Sequence, residues 1–124
     1  MLLRSTLVIN GISTVLCGVA LLAAPGVLAE LLGVSPPALL AVVGGGLVLY
    51  AGGLFWIARR HPISDAAAWT AIVLDLGWVF GSVAVIEVGI LTRIGTGLVA
   101  LVAAVVLTFA VLQFVGVRKT PRPA

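Results

Sequence analysis

Asp75 is the residue whose chemistry most needs an explanation. It stands inside the apolar run Ala71-Ile72-Val73-Leu74-Asp75-Leu76-Gly77-Trp78. A carboxyl in such a setting is either protonated, serving as a neutral donor and acceptor, or ionised beside a bound cation or a partner chain. Other polar residues recur in similarly apolar surroundings. Asn10, Ser13 and Thr14 fall with Thr6 and Cys17 at three- and four-residue spacing, one stripe of a helix. Tyr50, Thr108 and Gln113 stand singly, each flanked by hydrocarbon. Asp75, Tyr50, Asn10, Ser13, Thr14, Thr108 and Gln113 are therefore the candidate polar site. Tyr50 has a hydroxyl to donate to Asp75. Two kinds of chemistry suit the set. One is a site for a proton, a cation or a small polar group. The other is interhelical glue, hydrogen bonds of about 0.6 kcal/mol each that fix helix register.

The elements that must position these residues follow from composition. Of 124 residues, 62% are hydrophobic and 9% charged. A soluble domain carries about a quarter charged residues, because each of its helices shows a polar face to water. This chain cannot cover a globule in water, and its natural solvent is lipid. A bilayer core takes about 20 apolar residues as a helix. Four segments fit, at about Thr6–Ala24, Pro37–Ala58, Ala66–Ile86 and Ile94–Val117. The predicted fold class is an all-α membrane protein of four transmembrane helices in a single domain over residues 1–124.

The punctuation agrees with the hydrophobicity. Pro25-Gly26 stops the first span, and Ser35-Pro36-Pro37 opens the second with Ser35 as its cap. Arg59-Arg60-His61-Pro62 closes it, Ser64-Asp65 caps the third, and Thr92 to Gly95 begins the fourth. Between the first two spans, Val27, Leu28, Leu31 and Leu32 fall at helical spacing around Glu30, which predicts a short helix lying in the outer interface.

Lys and Arg in short loops stay on the cytoplasmic side. With the N-terminus inside, Arg4, Arg59, Arg60, Arg118, Lys119 and Arg122 all lie inside and only Arg93 lies outside. The expectation is a multi-pass protein of the cell inner (plasma) membrane, N-in and C-in. A competing reading takes the first span as a signal peptide ending near Val27-Leu28-Ala29. Its apolar run is longer than a usual signal core and Asn10 interrupts it, so a retained helix is expected.

Depth is counted at about 1.5 Å per helical residue. Stepping about nine or ten residues in from the cytoplasmic ends brings Ser13, Thr14, Tyr50, Asp75 and Thr108 to one level near mid-bilayer. Asn10 and Gln113 form a second level nearer the cytoplasm. Helix packing in lipid relies on small residues. Gly44, Gly45, Gly52, Gly77 and Gly81 are expected to serve it, against other spans or as a homodimer face; Gly11 and Gly18 recur seven apart in the first span.

Several function classes are excluded or disfavoured. The net charge of +3 comes from basic residues scattered between spans, not from a patch with interleaved aromatics, so no nucleic-acid partner is expected. The single Cys17 and single His61 give no metal site, and no cofactor is expected. Gly44-Gly45-Gly46 has no lysine and is no phosphate loop. No nucleophile and base stand together, so an enzyme is not expected.

Asn10-Gly11, Pro25 and Asp75-Leu76-Gly77-Trp78-Val79 resemble a group of small uncharacterised bacterial four-helix inner-membrane proteins. The resemblance implies fold and location and no activity. The four-helix multidrug transporters carry their carboxyl on the first helix, not the third. The fluoride channels have a phenylalanine-rich third helix that this chain lacks. Neither family is assigned. The partners expected are the lipid bilayer and either a second copy of the chain or another membrane protein. The expected role is a non-enzymatic accessory or assembly subunit, a helix-packing scaffold. The alternative is a small homo-oligomeric transporter or channel for a proton, cation or small solute that uses Asp75.

Overall fold

A computed structural model describes residues 2–60 and 63–119. His61 and Arg122 of the sequence reading lie outside the described residues. These hold five helices and no strand: α1 (Leu2–Ala23), α2 (Pro25–Leu32), α3 (Ala38–Ala58), α4 (Asp65–Val88) and α5 (Arg93–Lys119). The four long ones, α1, α3, α4 and α5, are long and apolar enough to cross a membrane. Their apolar side chains point outward as well as inward. Leu49 is 79% exposed and Val42 73%. Such a surface is stable in hydrocarbon, where outward leucine and valine cost nothing.

The breaks between helices have local causes. Ala24 leaves helical geometry at φ −137°, ψ 54°, and Pro25 then occupies the first turn of α2, where its missing N–H leaves no orphan donor. Gly33 ends α2 in the left-handed conformation at φ 83°, with the N–H groups of Gly33 and Val34 both donating to Ala29 O. Ser35 does not cap α3, contrary to the sequence reading. The Pro36 and Pro37 carbonyls begin that helix instead, accepting from Leu39 N at 3.1 Å and Leu40 N at 3.0 Å. Two successive prolines leave fewer N–H donors for a cap to satisfy. Ser64 does cap α4, accepting from Ala67 N. Thr92 opens α5: its hydroxyl accepts from Gly95 N at 2.9 Å and donates to Leu31 O, tying the start of α5 to the end of α2.

The long helices pack chiefly as two pairs, α1 with α3 and α4 with α5, and α1 also lies against α5. α3 and α4 touch only sparsely, and the remaining long-helix pairs, α1 with α4 and α3 with α5, lie diagonally across the bundle without close backbone approach among the described residues. Both termini and the α3–α4 connection share one end of the bundle, here the termini end; α2 and the α4–α5 turn form the far end. Glycines set the closest approaches. A Cβ on Gly18 would stand 2.8 Å from Gly44 O, and one on Gly44 2.7 Å from Gly18 O, so these backbones touch. Gly116 against Leu3 does the same for α5 and α1, and Gly95 against Leu32 for α5 and α2. Gly45, Gly52, Gly77 and Gly81, expected to pack helices, have open space where a Cβ would stand and make no close approach among the described residues.

The buried apolar core lies at the termini end. Leu3, Leu7, Leu54, Ala58, Ile63, Ala68, Ala71, Ile72 and Val117 form one cluster. Arg4 closes it from below, donating from Nε to Ala58 O at 2.7 Å and from Nη2 to Arg60 O at 2.6 Å. Ala58 is the last residue of α3 and Arg60 lies two residues beyond it, so the cation also meets the negative end of the helix dipole. Arg60 stacks over Trp56 with its guanidinium carbon 4.1 Å from the ring centroid.

Candidate functional site

Asp75 sits at the far side of this core, where all four long helices converge. It is 3% exposed and accepts three hydrogen bonds. Asn10 of α1 donates from Nδ2 to Oδ2 at 2.9 Å. Gln113 of α5 donates from Nε2 to the same oxygen at 2.7 Å. Tyr50 of α3 donates its hydroxyl to Oδ1 at 2.8 Å. The Tyr50 oxygen also lies 3.1 Å from Ala71 O, one turn earlier on α4. Thr14 fixes Asn10 in turn, donating to its Oδ1 at 3.1 Å and so holding the amide nitrogen toward Asp75. An ionised carboxylate has about four acceptor positions, so one remains free, on Oδ1.

Beyond Asp75 toward the far end the bundle does not fill. A half-open cavity of about 450 Å³ lies there, between the α1/α3 and α4/α5 pairs. Asp75, Asn10 and Tyr50 form its polar floor. Ser13, Thr14 and Cys17 run up one wall, with Trp78 among its other lining residues. Hydrocarbon from Leu47, Leu101, Val105 and Phe109 makes up much of the rest. The buried Trp78 Nε1 has no hydrogen-bond partner among the described residues, and neither has Gln113 Oε1. Among the described residues, no charged side chain other than Asp75 lines the space.

The structure thus brings Asp75, Asn10, Tyr50 and Gln113 into direct contact and places Ser13 and Thr14 on the adjoining cavity wall. It leaves Thr108 out. That residue is exposed on α5, and its hydroxyl bonds Ala104 O of its own helix. Gln113 was assigned to a neighbouring level in the sequence, yet it is 0% exposed and holds the shortest bond to Asp75. Trp78, not among the candidate site residues read from the sequence, also lines the cavity. Its position one turn beyond Asp75 on the same helix was the available signal.

Set against protein-family models, curated proteins and solved structures, the chain matches none.

Proposed function

We propose that this chain binds, within the bilayer, a small and mostly apolar molecule bearing one cationic or hydrogen-bond-donating group, and that the cavity is the substrate site of a small homo-oligomeric transporter. The observation that carries this reading is a carboxyl at the floor of an apolar cavity with no basic side chain among its described lining residues. A volume of about 450 Å³ falls within the range of roughly 300–1,000 Å³ usual for small-molecule sites. The free acceptor position on Asp75 suits one donor. The loosely packed seam between α3 and α4 offers a lateral way in from lipid. On this reading the membrane is an inner (plasma) membrane and the termini face the cytoplasm, the orientation that the basic residues at that end favour. α2, apolar but for Glu30, then lies in the outer interface.

The test uses Trp78 as reporter in a Trp56→Phe, Trp69→Phe background reconstituted in lipid vesicles. An alkylated aromatic amine is compared with its neutral and carboxylate isosteres. The amine is expected to quench Trp78 at concentrations at least about tenfold lower than either isostere, and Asp75→Asn to abolish that preference. Equal response to all three compounds would sink the proposal.

One observation favours a second reading, an accessory or assembly subunit. Gly45, Gly46, Gly52 and Gly53 on α3 and Gly77 and Gly81 on α4 all face open space. Each costs its helix about 1 kcal/mol relative to alanine, which a partner helix packed there would offset. The native mass of the gently extracted protein separates the readings. A different polypeptide at fixed stoichiometry supports the subunit, and a homo-oligomer alone supports the transporter.

A further inference from the structure

The Tyr50 hydroxyl stands between two acceptors, Asp75 Oδ1 at 2.8 Å and Ala71 O at 3.1 Å. A phenol has one proton and donates to one acceptor at a time, while its oxygen still accepts. When Asp75 is ionised, the hydroxyl donates to Oδ1. When Oδ1 takes up a proton, the new acid O–H donates to the Tyr50 oxygen, and the tyrosine proton turns to Ala71 O. The Ala71 carbonyl has a lone pair for it, since its helical hydrogen bond occupies only one. Asn10 and Gln113 keep their bonds to Oδ2 throughout. The bond from Thr14 to the Asn10 carbonyl oxygen keeps the Asn10 amide nitrogen turned toward Asp75. Neither charge state therefore strands a donor of the cluster. In a medium without water, a stranded donor would add to the desolvation cost of changing the charge of a buried acid.

We propose that Asp75 is a reversible proton-binding site, that rotation of the Tyr50 hydroxyl hydrogen accommodates its change of charge, and that the proton and the cationic group of the cavity ligand exclude one another. The last part rests on the binding reading above. The reaction is the association of one proton with one carboxylate, and no other bond is made or broken. The groups around the acid leave few competitors for the proton. α1 presents Asn10 and Thr14, with the Cys17 thiol farther along the cavity wall; α3 presents Tyr50; α5 presents Gln113. α4 adds no second ionisable group to the cavity lining.

The chain is suited to a direct test without mutation. Tyr50 is its single tyrosine, and Asp65 and Asp75 are its only aspartates. Carboxyl-labelled aspartate and ring-labelled tyrosine are incorporated into the protein in lipid bilayers, and infrared difference spectra are recorded as pH is stepped. The expected result is that the protonated-carboxyl band of Asp75 rises in one step and the Tyr50 C–O band moves at the same midpoint. Asp65→Asn leaves both unchanged, and Asp75→Asn removes the first and freezes the second. Tyr50→Phe, which loses one charge-assisted bond in the ionised state and two neutral ones in the protonated state, keeps the midpoint within about 0.5 pH of the parent. A tyrosine that served only the ionised form would move it by about 1 pH or more.

An Asp75 band that stays constant between about pH 4 and pH 10 overturns the proposal. So does a Tyr50 band that stays still while Asp75 titrates. Adding the aromatic amine is expected to discharge the protonated-carboxyl band. If the amine binds and the band persists, mutual exclusion is overturned. If the amine does not bind and both bands titrate together, the proton site stands and the binding reading fails.

Discussion

At the termini end of the bundle, side chains fill the space between four helices; on the other side of Asp75, the same four helices enclose a cavity. Both halves have close backbone contacts. Gly116 meets Leu3 in one, and Gly18 meets Gly44 in the other. What differs is which helices those contacts join. At the termini end, residues of α1, α3, α4 and α5 all enter one cluster. In the far half the contacts close α1 on α3 and α5 on α2, and the two pairs stand apart. In water the hydrophobic effect would drive such a gap shut. In lipid it does not, because acyl chains solvate leucine as well as another leucine does. A membrane protein can therefore keep an apolar cavity at little cost, and polar contacts such as those of Asp75 decide where packing stops.

The largest effect should come from removing that boundary. The reference for stability is the set of separately inserted helices, so each interhelical hydrogen bond counts for about 0.6 to 1.7 kcal/mol. Asp75→Leu breaks three and strands their donors, an expected loss of about 2 to 5 kcal/mol when unfolding is followed in micelles of rising SDS content. Asp75→Asn keeps a carbonyl for Asn10 or Gln113, and its own amide can donate to the Tyr50 oxygen. It should cost under about 1 kcal/mol. Equal stability of the leucine variant and the parent would show that the two halves are not divided by this cluster.

The next contrast lies on the two sides of α3. Gly44→Ala drives a methyl to 2.7 Å from a backbone oxygen, with no flexible side chain to yield. It should destabilise by about 1 to 3 kcal/mol. Gly45→Ala, one residue on, meets open space and should stabilise by up to about 1 kcal/mol through helix propensity. If Gly45→Ala instead breaks an oligomer in native mass measurements, a partner helix covers that face, and the assembly reading gains.

The same two positions show what the sequence made legible. Spans and depth were readable, because they depend on run length and on a fixed rise per residue. Azimuth was not. A helix apolar all round carries no amphipathic signal to say which side faces the bundle. So Gly44 and Gly45 looked equivalent, and Thr108 was placed with Asp75 by depth although it faces outward on α5. Gln113 shows a different limit. Side chains lean toward the N-terminus of their own helix. α4 starts at the termini end and α5 starts at the far end, so Asp75 leans one way and Gln113 the other, and the two meet from neighbouring levels. The cavity had no signature in the sequence, since it arises from how two helix pairs splay.

A smaller effect tests the comparison where it is most direct, with one substitution made on each side of Asp75. Leu7 is 0% exposed in the core cluster, and Leu101 lines the cavity while remaining 62% exposed. In lipid the transfer part of a Leu→Ala cost largely falls away, because the unfolded reference is already in hydrocarbon. The lost packing remains. Leu7→Ala should therefore cost about 1 to 2 kcal/mol, near the low end of soluble cores. Leu101→Ala removes a side chain that has open space on one side and should cost under about 0.5 kcal/mol. It enlarges the cavity, so it should alter the response of Trp78 to the aromatic amine while leaving the midpoint in SDS almost unmoved. Leu7→Ala should do the reverse. If both variants lost stability equally, the far half would be as tightly filled in the membrane as the termini end. The carboxyl of Asp75 would then have no cavity to serve.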